Sequence, residues 1–417
     1  MRRVDTVPRS IRDYGGLIGE GAVAEIEALA APLRGSRVLH LNATAYGGGV
    51  AEMLPTLVSL SRGLGIEAEW HVLEAENDFF DLTKRLHNGL QGMEVEILPT
   101  DRSLYLSTLE RNMQVFQRDW DFVVVHDPQP VGLLGLLDGR RTGRWIWRCH
   151  IDTSTPGNAA IDFLAPFMGY FELAVYSMPG YVTPRLGNMR TEFVFPSINP
   201  LTPKNEPLSP ALARQILACR FGISNAQPLI VQVSRFDPWK DPLGVIDSYR
   251  QAKRRIKDVQ LALAGNIADD DPEGIEYHAR TLEHAAGDPD IHVLSTLDRL
   301  SRDELTHALE INAFQSGADV VVQKSTREGF GLVVAEAMWK RTPVVGGRVG
   351  GIVEQIEDGV NGYLVTSVEE CADRVVELLK SPRRRREMGE RARETVRERF
   401  LTPRHLSDYL RIFRSLA

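Results

Sequence analysis

Short apolar runs rich in valine and isoleucine alternate along this chain with longer amphipathic stretches. In the first half, the runs lie at 37–44, 67–74, 121–127, 144–151, 173–178 and 192–198. The second half restarts the pattern, with runs at 228–236, 259–266, 291–295, 319–325 and 343–347. Strand-like segments separated by helical ones predict parallel sheets with right-handed crossovers.

A proline-rich stretch at 196–210 interrupts this alternation and carries five prolines in fifteen residues. Such a segment cannot form a regular element, so we place the domain boundary there. The predicted domains are 1–198 and 199–400, and a terminal helix at 401–417 is expected to return to the first domain. The predicted class is α/β, with two Rossmann-like doubly wound domains facing a central cleft, where ligands bind beyond the carboxyl ends of the strands.

Composition and charge exclude several classes of protein. The 417 residues are 43% hydrophobic and 25% charged, which favours two or three globular domains over disorder. A net charge of −7 gives no reason to expect nucleic acid or a membrane surface. Three scattered cysteines form no disulfide framework, and the N-terminus lacks an apolar signal segment, so we expect a cytoplasmic protein. A homodimer is left open.

The segment A-Y-G-G-G-V at 45–50 follows a predicted strand and opens a predicted helix. Glycines allow the backbone to approach a ligand closely, and a helix N-terminus offers N–H groups to an anion or a sugar oxygen. The consecutive glycines differ from the dinucleotide pattern G-x-G-x-x-G. A tight turn without any ligand is the alternative interpretation.

The segment S-R-F-D-P-W-K-D-P at 234–242 joins a predicted strand, ending at Ser234–Arg235, to a helix that begins near Asp241–Pro242. Arg235 and Lys240 therefore project from a loop at the carboxyl end of a strand. Two cations on one short loop suit a diphosphate, because arginine binds oxygens bidentately and lysine adds a compact charge. Ordinary solvated loop charges are the alternative.

The segment E-G-F-G-L-V-V-A-E at 328–336 turns the chain from a strand into a helix. The first N–H groups of that helix, near Gly331 to Val333, would complement the two cations as an anion site. Glu328 and Glu336 are eight residues apart, roughly 12 Å in a continuous helix. That distance exceeds the ~5–9.5 Å separation of hydrolytic carboxylate pairs. We therefore interpret the two acids as binding separate parts of one elongated ligand. For Glu336 a surface position on the helix is the alternative.

Two polar clusters follow strands of the first half, H-D-P-Q at 126–129 and R-C-H-I-D at 148–152. Because they end neighbouring predicted strands, they are candidates for the wall of a site. Structural roles for both histidines are the alternative.

Taken together, these segments resemble retaining nucleotide-sugar glycosyltransferases of the glycogen-synthase-like and sucrose-synthase-like superfamily, which have the GT-B fold of two Rossmann-like domains. The Glu-x7-Glu signature matches at 328–336, the Arg and Lys match at 235 and 240, and G-G-I-V-E matches at 350–354. A closer resemblance is to the trehalose glycosyltransferring synthases, carried by N-A-T-A-Y-G-G-G-V-A-E, H-N-G-L-Q-G, V-H-D-P-Q-P, W-R-C-H-I-D, S-R-F-D-P-W-K and R-E-G-F-G-L-V-V-A-E-A-M-W-K.

This resemblance implies a retaining transfer of glucose from UDP- or ADP-glucose to free glucose, giving α,α-trehalose, in a reaction that can run in reverse. It implies that Arg235 and Lys240 neutralise the donor diphosphate, Glu328 holds the donor glucose, Glu336 binds the ribose, and His150 contacts the donor sugar. The other donor-side residues implied are Gly48, Gly49, Gly329, Phe330, Gly331, Leu332 and Val333, and those expected on the acceptor side are Asn42, Asp127, Gln129 and Asp152. The base is expected near 265–266 and 297–300.

The chemistry agrees with these roles, because two cations and a helix N-terminus can stabilise a departing diphosphate without a metal. No Asp-x-Asp site with a phosphate partner is recognised, and the run Asp269-Asp270-Asp271 is interpreted as a loop, so neither a metal nor a tightly bound cofactor is predicted. The predicted partners are nucleoside-diphosphate glucose, glucose and trehalose. Three alternatives stay open: a transferase with another sugar or sugar-phosphate acceptor, a sensor without turnover, and a nicotinamide-dependent oxidoreductase.

Overall fold

The computed structural model describes residues 1–45, 48–137, 141–187, 189–267 and 272–417. Tyr46 and Gly47 of the glycine segment and the aspartate run 269–271 lie outside these ranges. The chain divides into two units: Met1–Ser197 with Thr402–Ala417, and Ile198–Leu401. We call them the first and second units.

The first unit is built on a seven-stranded sheet in the order β1-β3-β2-β4-β5-β6-β7. Every neighbouring pair is parallel except β1 and β3. Its strands are β1 (Arg2–Val4), β2 (Arg37–Asn42), β3 (Glu67–Val72), β4 (Phe122–His126), β5 (Arg144–Arg148), β6 (Leu173–Tyr176) and β7 (Arg190–Phe193). The strand order reverses direction between β2 and β4.

The crossovers of the first unit are helical, and its terminal helix comes from the end of the chain. Its helices are α1 (Gly15–Ile18), α2 (Glu20–Ala30), α3 (Gly49–Gly63), α4 (Asn77–Leu90), α5 (Pro99–Arg111) and α6 (Asn158–Met168), with α15 (Thr402–Leu416). Short 3-10 turns cover Ile11–Tyr14, Ala31–Leu33, Met113–Gln117, Val131–Leu136, Pro179–Tyr181 and Pro184–Leu186. Within this unit the Phe413 ring packs on Phe122, with centroids 4.7 Å apart.

The second unit is built on a six-stranded sheet in the order β10-β9-β8-β11-β12-β13, parallel throughout. Its strands are β8 (Leu229–Val233), β9 (Gln260–Gly265), β10 (Ile291–Ser295), β11 (Val320–Gln323), β12 (Val344–Gly347) and β13 (Tyr363–Val365). Its helices are α7 (Pro210–Phe221), α8 (Pro242–Lys253), α9 (Pro272–Ala285), α10 (Glu304–Gly317), α11 (Leu332–Trp339), α12 (Ile352–Gln355), α13 (Val368–Lys380) and α14 (Pro382–Arg399), with a 3-10 turn at Pro238–Lys240. The strand order reverses between β8 and β11.

The central strands β4 and β8 are buried along their whole length, as is typical of parallel strands covered by helices on both faces. All five residues of β4 and all five of β8 are buried. Continuous apolar runs such as F-V-V-V and L-I-V therefore mark core strands, and the predicted α/β class with two parallel Rossmann-like sheets is confirmed.

One glycine sets the alignment of β5 against β4, the two strands that carry polar residues at their ends. Gly143 has φ +69°, and a Cβ there would lie 2.0 Å from the Trp120 carbonyl oxygen. The Arg144 N–H then donates to the Asp121 carbonyl over 2.8 Å. This tight junction starts the register that pairs His126 with Arg148 at the other end of the strands.

Some elements differ from the sequence-based expectations. The edge strands β1 and β13 were not predicted, because three residues are too few to show a period of two. The strand before the cationic loop ends at Val233 rather than at Ser234–Arg235.

From Ile198 onward, the proline-rich segment is a packed loop of the second unit. No helix or strand forms across 199–209, a stretch that the structure describes in full. Asn199 and Asn205 are nevertheless buried, and the Trp339 indole N–H donates to the Asn205 carbonyl over 3.1 Å. In the described ranges, none of the helices has the length and apolar content needed to cross a bilayer.

Candidate active site

The loop after β8 is folded by two aspartates that act as caps. The Asp237 side chain accepts from the Lys240 backbone N–H over 3.0 Å and caps the 3-10 turn. Asp241, with φ +50°, accepts from the Gly244 N–H and caps α8, and its carboxylate also pairs with Lys324. Arg235 stays 63% exposed at the start of the loop, 3.2 Å from the Asp237 carboxylate. The segment S-R-F-D-P-W-K-D thus carries one exposed cation, Arg235, and one largely buried cation, Lys240.

The E-G-F-G turn lies at the end of β11, the strand next to β8. Gly331 adopts φ +83° as the N-cap of α11, and no side chain caps that helix. A Cβ at Gly331 would lie 3.1 Å from Cγ of Glu328, so the left-handed turn also makes room for the acid. Leu332 and Val333 form the first turn of α11, whose backbone N–H groups point away from the helix body.

The two loops meet in an ion pair. Lys240 Nζ lies 2.7 Å from Glu328 Oε2, and the Ser325 hydroxyl donates to the same oxygen over 3.2 Å. Both side chains are largely buried, with 16% and 10% exposed. Because β8 and β11 flank the point where the strand order reverses, this pair sits where open α/β sheets bind their ligands.

The glycine segment at 350–354 supports the E-G-F-G turn from behind. A Cβ at Gly351 would lie 2.5 Å from the Phe330 Cα, so only glycine allows the two backbones to come this close. The Gln355 side-chain amide donates to the Phe330 carbonyl over 2.6 Å, and the Gly351 N–H donates to the Glu328 carbonyl over 3.3 Å. Gly329 and Phe330 are therefore held in place by their backbones.

Glu336 lies in different surroundings from Glu328. It is 1% exposed, which excludes the surface position considered from the sequence. Oε1 lies 2.8 Å from Lys204 Nζ, and Oε2 accepts from the Gln315 amide over 3.0 Å. Burial alone would raise the pKa of the Glu336 carboxyl, but the Lys204 and Lys340 ammonium groups hold that pKa below its usual value. The two acids thus have separate partners, and only Glu336 lies within the helix.

In the first unit, the ends of β4 and β5 bring Asp127 and His150 together. Asp127 adopts φ +59° and its Oδ1 accepts from the His150 backbone N–H over 2.8 Å. Its own carbonyl accepts from the Trp147 indole N–H over 3.1 Å, and its N–H donates to the Arg148 carbonyl over 2.9 Å. Burial raises the pKa of the Asp127 carboxyl to about 6, although the His150 N–H and the Arg148 charge oppose that rise.

Three histidine rings stack at the same end of this sheet. His40 Nδ1 lies 3.1 Å from His126 Nε2, and His126 Nδ1 lies 3.0 Å from His150 Nε2. The His126 ring is nearly parallel to that of His150, with centroids 5.3 Å apart. Burial lowers the pKa of His40 to about 4 and lowers the pKa values of His126 and His150 well below the usual range. All three are neutral bases or donors near pH 7.

The other residues expected in the first unit take varied positions. Gly48, with φ +103°, is the N-cap of α3, and Gly49 is its first residue, so the helix begins without a side-chain cap. The amide of Asn42 is engaged at both ends, donating to the Thr44 carbonyl and accepting from the Trp70 indole, each over 2.7 Å. Asp152 is buried and accepts from the Ser154 N–H and hydroxyl. Gln129 is partly buried.

Several residues at these sites did not stand out in the sequence. His40 lies in an apolar strand, where a lone histidine resembles a core residue, His405 lies on an amphipathic helix, and Lys204 lies in the proline-rich stretch. Ser325 and Gln315 are common polar types with no distinguishing spacing. Ser325 is identified by its contact with Glu328 three residues on, and the other four by contacts between segments that are distant in the sequence and leave no local pattern.

Over the described ranges, no cluster of three or more histidine, cysteine, aspartate or glutamate side chains has a geometry that could hold a metal ion. At the ends of β8 and β11 the described residues include two cations, a carboxylate and the open end of a helix. Such a set can bind a phosphate-bearing molecule and stabilise the charge that develops on a departing phosphate.

Two family models match long parts of this chain. Residues 40–183 match the family of trehalose synthase N-terminal domains, and residues 220–395 match the glycosyl transferases of group 1. A trehalose synthase from Rubrobacter xylanophilus is 47% identical over 420 residues, covering 100% of this chain and 99% of its own. One from Pyrococcus horikoshii is 43% identical over 410 residues, covering 98% and 97%.

Among solved structures, a sucrose-phosphate synthase from Thermosynechococcus elongatus superposes with a TM-score of 0.71 at 15% identity, covering 91% of this chain and 99% of its own. That likeness shows the fold, which is the GT-B type. The full-length identity to trehalose synthases shows the family, and with it an enzyme of trehalose-related glycosyl transfer. The chain belongs to the trehalose synthase family of glycosyltransferases.

Proposed function

We propose that this protein is a retaining glucosyltransferase that makes α,α-trehalose from a nucleoside-diphosphate glucose and free glucose, and that the reaction is reversible. One observation carries the proposal. Arg235, the Lys240–Glu328 ion pair and the uncapped start of α11 converge at the ends of β8 and β11. A diphosphate next to a hydroxylated sugar is the ligand that uses all four features.

In this proposal the diphosphate lies against Arg235, Lys240 and the N–H groups of Leu332 and Val333. Lysine carries three N–H donors and one is directed at Glu328, so Lys240 can serve both the acid and a phosphate oxygen. The charge that appears when the bond from the anomeric carbon to phosphate breaks is stabilised by groups already in place. Glu328, whose Oε2 contacts Lys240 and Ser325, accepts from hydroxyl groups of the donor glucose.

The new bond forms between the acceptor hydroxyl oxygen and the anomeric carbon, on the face that the diphosphate leaves. The departing phosphate oxygen takes the acceptor proton, so no protein nucleophile is required. His150 is assigned to the donor sugar, and Asp127, Asp152 and Gln129 to the acceptor. Trapping a covalent glucosyl-enzyme would contradict this mechanism.

A product assay tests the proposed function. The protein is incubated with UDP-, ADP- or GDP-glucose, or with glucose 1-phosphate, and with glucose or glucose 6-phosphate as acceptor. Formation of a non-reducing disaccharide with α,α linkage from a nucleotide donor and glucose is expected, and trehalose plus nucleoside diphosphate should run the reaction backwards. No disaccharide from any nucleotide donor would reject the proposal, and product only with glucose 6-phosphate would replace the acceptor.

Arg235→Ala should lower kcat strongly, because one oriented charge in a transition state contributes about 2–4 kcal/mol, or roughly 30- to 900-fold. The measurement is the rate of nucleoside-diphosphate release at saturating donor and acceptor. Arg383→Ala is the matched control, because Arg383 is an 85% exposed arginine of the same unit that pairs only with Glu387 in the described residues. A rate for Arg235→Ala within threefold of this control would show that the cation does not face the diphosphate.

Glu336→Gln should raise the donor KM about tenfold, since a charged acceptor of a ribose hydroxyl becomes a neutral one. It should also lower Tm, because the Lys204 ammonium loses its buried partner. Combining it with Lys204→Met separates the two effects. The double variant should regain Tm and keep the high donor KM, and recovery of both values would assign Glu336 a structural role alone.

The acceptor KM should rise as the pH falls through about 6, because the Asp127 carboxyl, with its pKa raised to about 6, then gains a proton and can no longer accept freely from the sugar. Asp127→Asn should show an acceptor KM that is high and flat from pH 5 to 7. Initial rates across glucose concentrations at each pH provide the measurement. An acid limb that persists unchanged in the variant would assign the titration to another group.

A further inference from the structure

The three stacked histidines of the first unit form a chain of two contacts, and each contact joins Nδ1 of one ring to Nε2 of the next. His40 offers Nδ1 to Nε2 of His126, and His126 offers Nδ1 to Nε2 of His150. His40 is on β2, His126 ends β4, and His150 follows β5, so the chain crosses the point where the strand order reverses. The chain ends at His150 Nδ1, which is buried and has no hydrogen-bond partner in the described part of the protein.

Each nitrogen-to-nitrogen contact needs one proton, because a neutral imidazole carries one N–H and one bare nitrogen. If His126 holds its proton on Nδ1, it donates to His150, and its bare Nε2 must accept from His40 Nδ1. If His126 holds it on Nε2, it donates to His40, and its bare Nδ1 must accept from His150 Nε2. The head-to-tail order therefore allows two states: all three rings protonated on Nδ1, or all three on Nε2.

The surroundings of the three rings keep them neutral. Arg148, fully buried, donates to the Val175 and Val194 carbonyls and to the Ser177 hydroxyl, and its charge opposes a second cation beside His126 and His150. His405 of α15 is also buried and adds to the same repulsion.

Two further titratable neighbours are Asp127, which accepts from the His150 backbone, and Tyr409. The Tyr409 ring lies edge-on to His40 with centroids 6.0 Å apart. Burial raises the pKa of Tyr409 to about 12, so its hydroxyl is neutral near pH 7.

We propose that His40 and His126 are positioning residues that act through this chain to set the tautomer of His150, so that the three rings switch tautomer together. Whether His150 Nδ1 is a donor or an acceptor then depends on a ring two strands away. The functional part of this inference rests on the proposed function, in which His150 contacts the donor sugar.

The ligand class follows from the atom at the end of the chain. A phosphate or carbonyl oxygen at His150 Nδ1 can only accept, so it selects the state protonated on Nδ1 in all three rings. A sugar hydroxyl can donate or accept, and it takes whichever state the interior of the chain favours. In the proposed reaction His40 and His126 thereby decide the direction of one hydrogen bond to the donor sugar.

Nitrogen-15 NMR of the histidine rings tests this directly, because long-range proton–nitrogen correlations distinguish the two neutral tautomers. The full chain, labelled only in its ten histidines, is measured at pH 7.5. Single changes of His40, His126 and His150 to Asn assign the three signals. One shared tautomer for the three rings is expected. Opposite tautomers in any two of them, or an imidazolium at this pH, would overturn the proposal.

Two substitutions of His126 then probe the coupling. His126→Phe keeps a flat ring but removes both contacts, so the His150 signal should move to a mixture of tautomers, and kcat should fall about tenfold, as when an orienting partner is removed. His126→Asn keeps a hydrogen-bonding atom for the contact with His150 but loses the contact with His40, so its kcat should lie between those of the wild type and the Phe variant. An unchanged His150 tautomer in the folded Phe variant, or equal kcat losses in both variants, would overturn the coupling.

The two proposals fail in distinguishable ways. A wild-type protein that makes no disaccharide rejects the proposed function, and the tautomer spectrum still decides whether the three rings are coupled. If His126→Phe does not fold, the wild-type spectrum alone decides the shared tautomer. A wild-type protein that makes trehalose but shows opposite tautomers in two of the three rings rejects only the histidine chain.

Discussion

The ion pair between Lys240 and Glu328 is the interaction on which the arrangement of the second unit depends. It joins the loop after β8 to the loop after β11, at 2.7 Å and largely removed from water. Each partner would be costly to bury alone, so each holds the other at the sheet edge. Neighbouring residues stabilise the two loops that form this contact. Asp237 and Asp241 cap the loop that carries Lys240, and Gly331 leaves space for the Glu328 side chain. Gly351 and Gln355 pack against the backbone of the E-G-F-G turn.

The two units handle charge in opposite ways at equivalent places in their sheets. In the second unit, the Lys240–Glu328 ion pair lies at the reversal between β8 and β11. In the first unit, the reversal between β2 and β4 carries histidines that burial and the Arg148 charge hold neutral. Charged groups form strong hydrogen bonds to a leaving diphosphate. Neutral rings and the Asp127 carboxyl can instead exchange hydrogen bonds with uncharged hydroxyl groups.

Much of the fold could be predicted because its signals are local. Apolar runs such as F-V-V-V-H and L-I-V-Q-V mark buried parallel strands, and their alternation with amphipathic segments specifies the α/β class, which is confirmed. The edge strands β1 and β13 could not be predicted, because three residues are too few to show the period-two alternation of a strand. The proline-rich segment was correctly predicted to lack a helix or strand, but its burial depends on Trp339 and Glu336, which are more than a hundred residues away in sequence.

The candidate site also contains residues with local sequence signals and residues that only long-range contacts identify. The motifs at 234–242 and 328–336 concentrate charge and glycine, so Arg235, Lys240 and Glu328 stood out in the sequence, and their roles stay predictions. His40 could not stand out, because a histidine in an apolar strand has the local pattern of a core residue. His40 is recognised as a candidate only in the structure, where β2, β4 and β5 place three histidine rings in contact. The proton position on one ring then determines the proton position on its neighbour. Contacts of this kind are a property of register, and register is set by features as remote as the Gly143 junction at the far end of β5.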